Sequence, residues 1–241
     1  MYGMYGYGYG YGLDPTIILV LIGVALSLWA QGRVNSTFSR YSRVRSMTGM
    51  TGAEAARRLL NAQGIYDVTV QQIAGELTDH YDPRTKTVNL SQSVYGATSV
   101  AAIGVAAHEC GHAMQDNEEY APLRFRSALV PVANFGSSLS WPLILLGLVF
   151  GGLGSPLVEI GILMFSLAVL FQLVTLPVEY NASARAVRLL DAQGILAGEE
   201  VNGTRKVLNA AALTYVAAAA TSILQLLRLI ILFGGRNRRD R

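Results

Sequence analysis

Between Ser155 and Glu179 the chain carries one charged side chain, Glu159, in a run otherwise built from large aliphatic, aromatic and small residues. That run supplies the ~20 apolar residues a helix needs to cross a bilayer. Inside hydrocarbon every backbone polar group must be satisfied within the spanning element, so an open strand is ruled out. The segment 128–154, ALVPVANFGSSLSWPLILLGLVFGGLG, reads as a second span joined to the first by a very short Gly-rich turn, although Pro131, Asn134, Ser137, Ser138 and Pro142 interrupt it. Nearer the start, Thr16 to Ala30 is uncharged and Trp29 sits where an interfacial aromatic would anchor. Segment 205–235 is also long enough to span, but Arg228 lies in its apolar run. A charge there is expensive in lipid unless it faces protein or water, which favours a helix lying partly on the bundle and partly in the interface. Composition agrees with a membrane protein: 51% hydrophobic and 15% charged, against about 25% charged in ordinary soluble domains.

Nothing basic precedes the first apolar run, so it reads as an uncleaved anchor and not a signal peptide. Arg33, Arg40, Arg43 and Arg45 follow it, which puts residue 33 onward in the cytoplasm by the positive-inside rule. The net charge of +3 is too small to suggest nucleic acid as a partner. Cys110 is the single cysteine, which excludes an intrachain disulfide framework and a Cys-rich zinc finger. It reads as a buried, inert thiol. The opening MYGMYGYGYGYG has no apolar periodicity and is expected to be a flexible tail.

Residues 48–100 are mixed and polar enough to be soluble. Thr51 with Glu54 forms a capping box ahead of AEAARRLLNAQ, and Gly64 stands where a helix ends in the left-handed conformation. VTVQQI and TKTVNLS alternate like strands, with a turn signal at Asp82-Pro83 between them, so a small antiparallel sheet with a hairpin is expected. RLLNAQGI at 58–65 and RLLDAQGI at 188–195 nearly coincide while their flanks differ, which indicates one helix-stop solution used twice.

The chemistry lies in GVAAHECGHAMQ, 104–115, within a predicted helix. Two of the chain's three histidines, His108 and His112, are four residues apart and so present two imidazoles on one face. His-Glu-x-x-His on a helix is a zinc-binding pattern, with the glutamate, here Glu109, as general base toward water acidified by the metal. A catalytic zinc usually takes three protein ligands. His80 is one candidate, placed in the hairpin loop, but no recurrent spacing puts a ligand there, and the downstream H-x-x-G-x-x-H continuation is absent. The other is Glu179, which directly follows the membrane hairpin that returns the chain to the face it left. Asp116, four residues after His112, is a candidate to orient that imidazole.

HECGH, a membrane hairpin and then Glu179-Tyr180-Asn181-Ala182-Ser183-Ala184-Arg185-Ala186 resemble the membrane-embedded gluzincin peptidases, which carry Glu-x-x-Ala-Asp on the third-ligand helix. The nearer resemblance is to the YugP-type neutral zinc metallopeptidase family of bacterial membrane proteins. LTDHYDPRTKTVNLS, GVAAHECGHAMQ, APLRFRSALVPVANFGS, FQLVTLPVEYNAS and RKVLNAAALTYVAAA look like its motifs, over most of residues 48–230. The resemblance implies one zinc ion on His108, His112 and Glu179, with Glu109 as the base. Ser183 stands where the wider gluzincin pattern has an aspartate, so Ser183, Asn181 and Asp116 are the candidates to orient the histidines. His80, Tyr81, Arg185 and Tyr215 are candidates to touch substrate or stabilise the transition state.

The expected architecture is a mainly α integral membrane protein with three to four transmembrane helices and a small α+β zincin-like (minigluzincin) domain. Its divisions are a tail at 1–12, an anchor at 13–32, a cytoplasmic catalytic part at 33–128, a membrane hairpin at 129–178, a third-ligand helix at 179–206 and a membrane-associated helix with a basic tail at 207–241. The expected activity is peptide-bond hydrolysis on membrane-associated or unfolded polypeptides, at the cytoplasmic face of a bacterial inner (plasma) membrane. The lipid bilayer and a polypeptide are then the partners. The alternatives are a zinc-bearing membrane scaffold or chaperone and a metal transporter or sensor, for which the spans offer few polar ligands, Glu159 and Gln172, and no histidine.

Overall fold

The computed structural model describes residues 14–152 and 155–234, so the Tyr-Gly tract and the terminal RNRRDR lie outside the described residues. In chain order the elements are α1 (Ile17–Tyr41), α2 (Gly52–Ala62), β1 (Thr69–Ile73), β2 (His80–Asp82), β3 (Thr87–Ser91), α3 (Gln92–Tyr95), α4 (Val100–Asn117), α5 (Ala121–Gly151), α6 (Pro156–Ala192) and α7 (Glu199–Phe233). Among the described residues α1, α5, α6 and α7 are long and apolar enough to cross a membrane. Large apolar side chains along them, such as Leu28, Phe135, Phe150 and Leu163, are exposed. The chain is a multi-pass, mainly helical membrane protein with a small α+β portion.

Helices α5 and α6 form the antiparallel hairpin. Ala133, Gly136, Ser140, Ile144 and Gly147 make the buried stripe of α5, and its small residues let helix backbones approach closely in lipid. The expected interruption of this segment does not occur: α5 runs unbroken through Pro131 and Pro142. The hydroxyls of Ser137 and Ser138 turn back onto the Asn134 carbonyl, so these polar side chains are satisfied within the helix itself.

Helix α7 runs antiparallel along α1, from Gly203 against Tyr41 to Arg228 beside Asp14. The Thr221 hydroxyl donates to the Gly23 carbonyl at 3.1 Å. Arg228 pairs with Asp14 at 3.3 Å and donates from Nε to Thr16 Oγ1 at 3.2 Å. The arginine that argued against a span thus has a carboxylate partner, and α7 lies along α1 from Gly203 to Arg228. The divisions expected at 178/179 and 206/207 both fall inside unbroken helices, α6 and α7. The second arm of the expected hairpin and the segment carrying Glu179 are therefore one continuous helix, α6.

The sheet has the order β1-β3-β2. β2 and β3 make an antiparallel hairpin, with His80 opposite Asn89, within the stretch expected to be the loop between two strands. β1, however, pairs parallel with β3, from Thr69 opposite Thr87 to Ile73 opposite Ser91, so the sheet is mixed and not antiparallel. The reason is that β3 is buried at every position and is paired on both sides, while the segment 74–79 carries the chain around to its far edge. His80 consequently lies in strand β2 and not in a loop.

The soluble core forms around α4, where Ala102, Ile103, Ala106, Cys110 and Met114 pack with Leu59, Leu60, Leu90 and Leu190. Thr51 and Glu54 form the reciprocal capping box of α2. Gly64 (φ 71) and Gly194 (φ 61) end α2 and α6 in the left-handed conformation, and in both the next isoleucine, Ile65 or Ile195, donates at 3.0 Å to the leucine carbonyl five residues back. The two near-identical strings are one stop used twice, and they sit side by side, since Arg58 donates to the Gln193 carbonyl at 2.8 Å.

Helix α4 meets α6 at Gly111, where a Cβ would lie 2.6 Å from the Ala182 carbonyl oxygen. Backbone on both sides leaves no flexible group to move. Gly111→Ala is therefore expected to destabilise the protein by about 1–3 kcal/mol, whereas Gly96→Ala, with open space at the Cβ position, is expected to stay within about 0.5 kcal/mol of wild type. Thermal unfolding of both variants in detergent checks the difference.

Candidate metal centre

The close approach at Gly111 sets the rest of the site. It brings one turn of α4, carrying His108 and His112, against the turn of α6 that carries Glu179. Glu179 is nearly fully buried, and its Oε2 lies 3.2 Å from His108 Nε2 and 3.5 Å from His112 Nε2. The two imidazole rings stand edge to face with centroids 4.8 Å apart. One donor atom from each of the three residues falls within 4.8 Å of the others, a group that could hold a metal ion. Zinc ligands at ~2.0–2.1 Å in a tetrahedral arrangement are separated by about 3.3 Å, so the spacing of each nitrogen from the Glu179 oxygen suits zinc. His80 is not part of the group. Its Nδ1–H donates to the Thr78 carbonyl at 2.9 Å, and its Nε2 accepts from Asn89 Nδ2 at 3.1 Å.

Each imidazole presents Nε2 because its other nitrogen is held. His108 Nδ1 lies 3.1 Å from the Ser183 hydroxyl, and His112 Nδ1 lies 3.0 Å from Gln115 Oε1. A proton placed on Nδ1 leaves the Nε2 lone pair free for a metal. Gln115 was not legible as an orienting group, though its position three residues after His112 puts it on the same helix face. It is fully buried, and its amide donates to the Val178 carbonyl and to Asn181 Oδ1, both at 2.9 Å. Asn181 thus acts one step further out. Asp116, expected beside His112, instead accepts from the Tyr81 hydroxyl at 2.8 Å and pairs with Lys86 at 3.3 Å. Being one residue beyond Gln115, it points toward the sheet.

Glu109 is buried but takes no hydrogen bond from protein among the described residues, and it lines two cavities that meet at His108 and Glu179. One, of about 270 Å³, lies between α1 and α7 and is mostly apolar, with Phe38, Val105, Ala211 and Ala212 in its wall. The other, of about 290 Å³, lies between β2 and α5 and is lined by His80, Tyr81, Arg126 and Ser127. Asp79 and Tyr215 border both. Burial pushes the Asp79 carboxyl up, against the hydrogen bonds it accepts from the Ser91 amide and hydroxyl. Burial and the bond to Asp116 push the Tyr81 phenol well above its ordinary value, and burial does the same to the Cys110 thiol.

Of the residues expected to touch substrate, His80, Tyr81 and Tyr215 line these cavities and Arg185 does not. The Arg185 guanidinium is committed to Asn181 Oδ1 at 2.7 Å and Glu118 at 2.6 Å. Tyr215 lies against Glu179. Sequence reasoning missed Arg126, on the first turns of α5. Its Nη1 is 3.7 Å from Glu179 Oε1, and its buried Nε has no hydrogen-bond partner among the described residues. Nothing in its spacing from HECGH singles it out; only the turn from α4 into α5 places it over the site.

The chain can be set beside known proteins on this basis. Residues 16–234 match the model of a family described as "Putative neutral zinc metallopeptidase". A relative from Bacillus subtilis (strain 168), "Putative membrane protease YugP", is 49% identical over 217 residues, which cover 90% of this chain and 96% of the relative. No solved structure matches. With the match running through both the HECGH helix and all four apolar helices, the chain belongs to the neutral zinc metallopeptidase family.

Proposed function

We propose that this protein hydrolyses peptide bonds at a zinc ion held by His108, His112 and Glu179, with Glu109 as general base. The observation that supports it most is the convergence of three suitably spaced donors from two helices, with both imidazoles held at Nδ1. Bound there, zinc would supply a Lewis acid that polarises the scissile carbonyl and acidifies the attacking water. Glu109, unpartnered and open to both cavities, takes the proton of that water and returns it to the leaving amine. Arg126 is the best placed donor for the developing oxyanion. The donors of His80 and Tyr81 are already engaged, those of Arg185 point elsewhere, and the guanidinium of Arg126 has no hydrogen bond to protein among the described residues. β2 is an edge strand whose residues line the polar cavity, so an extended polypeptide can add to it by strand pairing.

The substrates in this reading are membrane-associated or unfolded polypeptides, because Glu179 sits at the very end of the apolar stretch of α6. The site faces the cytoplasm of a bacterium at its plasma membrane, a placement supported by Arg33, Arg40, Arg43 and Arg45 just beyond the apolar part of α1. A zinc-bearing scaffold without proteolysis would keep its function in Glu109→Gln.

Cleavage of a casein-like unfolded substrate by the purified protein tests the mechanism. Glu109→Gln is expected to lower kcat by about 10²–10⁴-fold with its zinc content intact, while His108→Ala and Glu179→Ala lose the metal and His80→Ala keeps it. Equal turnover by wild type and Glu109→Gln would sink the mechanism. Gln115→Leu is expected to weaken zinc binding by about 10–100-fold, read by competition with a chromophoric chelator. Arg126→Gln is expected to lower kcat by about 10²–10³-fold with zinc affinity unchanged. A fall in zinc affinity instead would make Arg126 a support for Glu179.

A further inference from the structure

A third cavity of different character opens on another face of α7. It holds about 670 Å³ between α1, the middle of α6 and α7, and none of the metal-site residues lines it. Its walls carry three cations, Arg33, Arg40 and Lys206, with no carboxylate among them. None of the three is paired with a carboxylate among the described residues, and Arg40 has only the ring of Tyr41 beside it. Ser36, Thr37 and Asn209 add hydroxyl and amide groups between the cations. Three like charges facing one cavity repel each other, and the arrangement is relieved by an anion with several acceptor oxygens.

The location says which anion. Arg33 lies one turn beyond Ala30, where the apolar run of α1 ends; Tyr180 lies two residues beyond Val178, where that of α6 ends; Lys206 and Asn209 precede the apolar part of α7. Three helices change from apolar to polar at one level, so the cavity lies at the bilayer surface. Its remaining wall, Ala210 and Leu213, is apolar. A phosphate carried on a lipid would place its charge among the cations and leave its acyl chains along exposed α1 and α6. We propose that this cavity binds the headgroup phosphate of an anionic phospholipid. The chemistry recognised is a phosphate group, and the lipid is its source.

The test uses the full chain in a nonionic detergent, titrated with phosphatidylglycerol, phosphatidylcholine or inorganic phosphate, with binding read by native mass spectrometry. Phosphatidylglycerol is expected to be retained over phosphatidylcholine and to resist displacement by inorganic phosphate. At roughly fivefold per cation near a membrane surface, the triple variant Arg33→Gln/Arg40→Gln/Lys206→Gln is expected to bind phosphatidylglycerol on the order of 100-fold more weakly. Arg84→Gln, an exposed arginine in the β2–β3 turn, is expected to bind as wild type. If the triple variant does not fold, Arg33→Gln and Lys206→Gln singly are each expected to show about a fivefold loss. Wild-type phosphatidylglycerol binding in the triple or in both single variants would overturn the proposal. So would equal retention of phosphatidylcholine, and displacement by inorganic phosphate would make the cavity a free phosphate site.

Discussion

A buried carboxylate at the end of a membrane helix is the constraint on which the architecture turns. Glu179 is almost wholly removed from solvent, and an isolated carboxylate in such a place carries a large desolvation penalty unless cationic or donor groups surround it. Here His108 and His112 face one oxygen and Arg126 the other. Those partners come from α4 and α5, so satisfying one side chain ties together three helices. Gly111 makes the tie geometrically available, since any side chain there would hold the two backbones apart.

The membrane part acts as the jig for this contact. Because α6 is a single helix from Pro156 to Ala192, the packing of α5 on α6 within the bilayer fixes where Glu179 emerges. The pairing of α1 with α7 does the same for the other side, where Phe38 and Tyr215 close the apolar cavity. The ion pair of Arg228 with Asp14 is far from the chemistry, but it lets α7 continue along α1 and so keeps that wall in register. The two cavities on either side of Glu109 differ in polarity because one is walled by membrane helices and the other by the sheet edge and α5.

The division between what was legible in the chain and what was not follows the range of the interactions. HECGH identifies two candidate donors, with a candidate base between them, because helical geometry alone puts residues four apart on one face. The apolar runs identify spans because hydrocarbon permits few alternatives, and the capping box and both glycine stops are local hydrogen-bond patterns. The direction of β1, the unbroken passage of α5 through its prolines and the pairing of α7 with α1 all depended on partners distant in sequence. For Arg228 the deciding partner, Asp14, stands over two hundred residues away.

By itself, then, the sequence determined the membrane class, the candidate metal-binding half-site on α4 and Glu179 as a third-donor candidate on topological grounds. Tertiary structure alone decided which groups hold the imidazoles. Ser183 and Gln115 lie against His108 and His112, while Asp116, no less suitable by residue type, faces Tyr81 and Lys86. It alone also placed Arg126 over Glu179. The physical reason is that residue type states what a side chain can bond to, whereas its reach of a few ångströms leaves the packing of the helices to choose the partner.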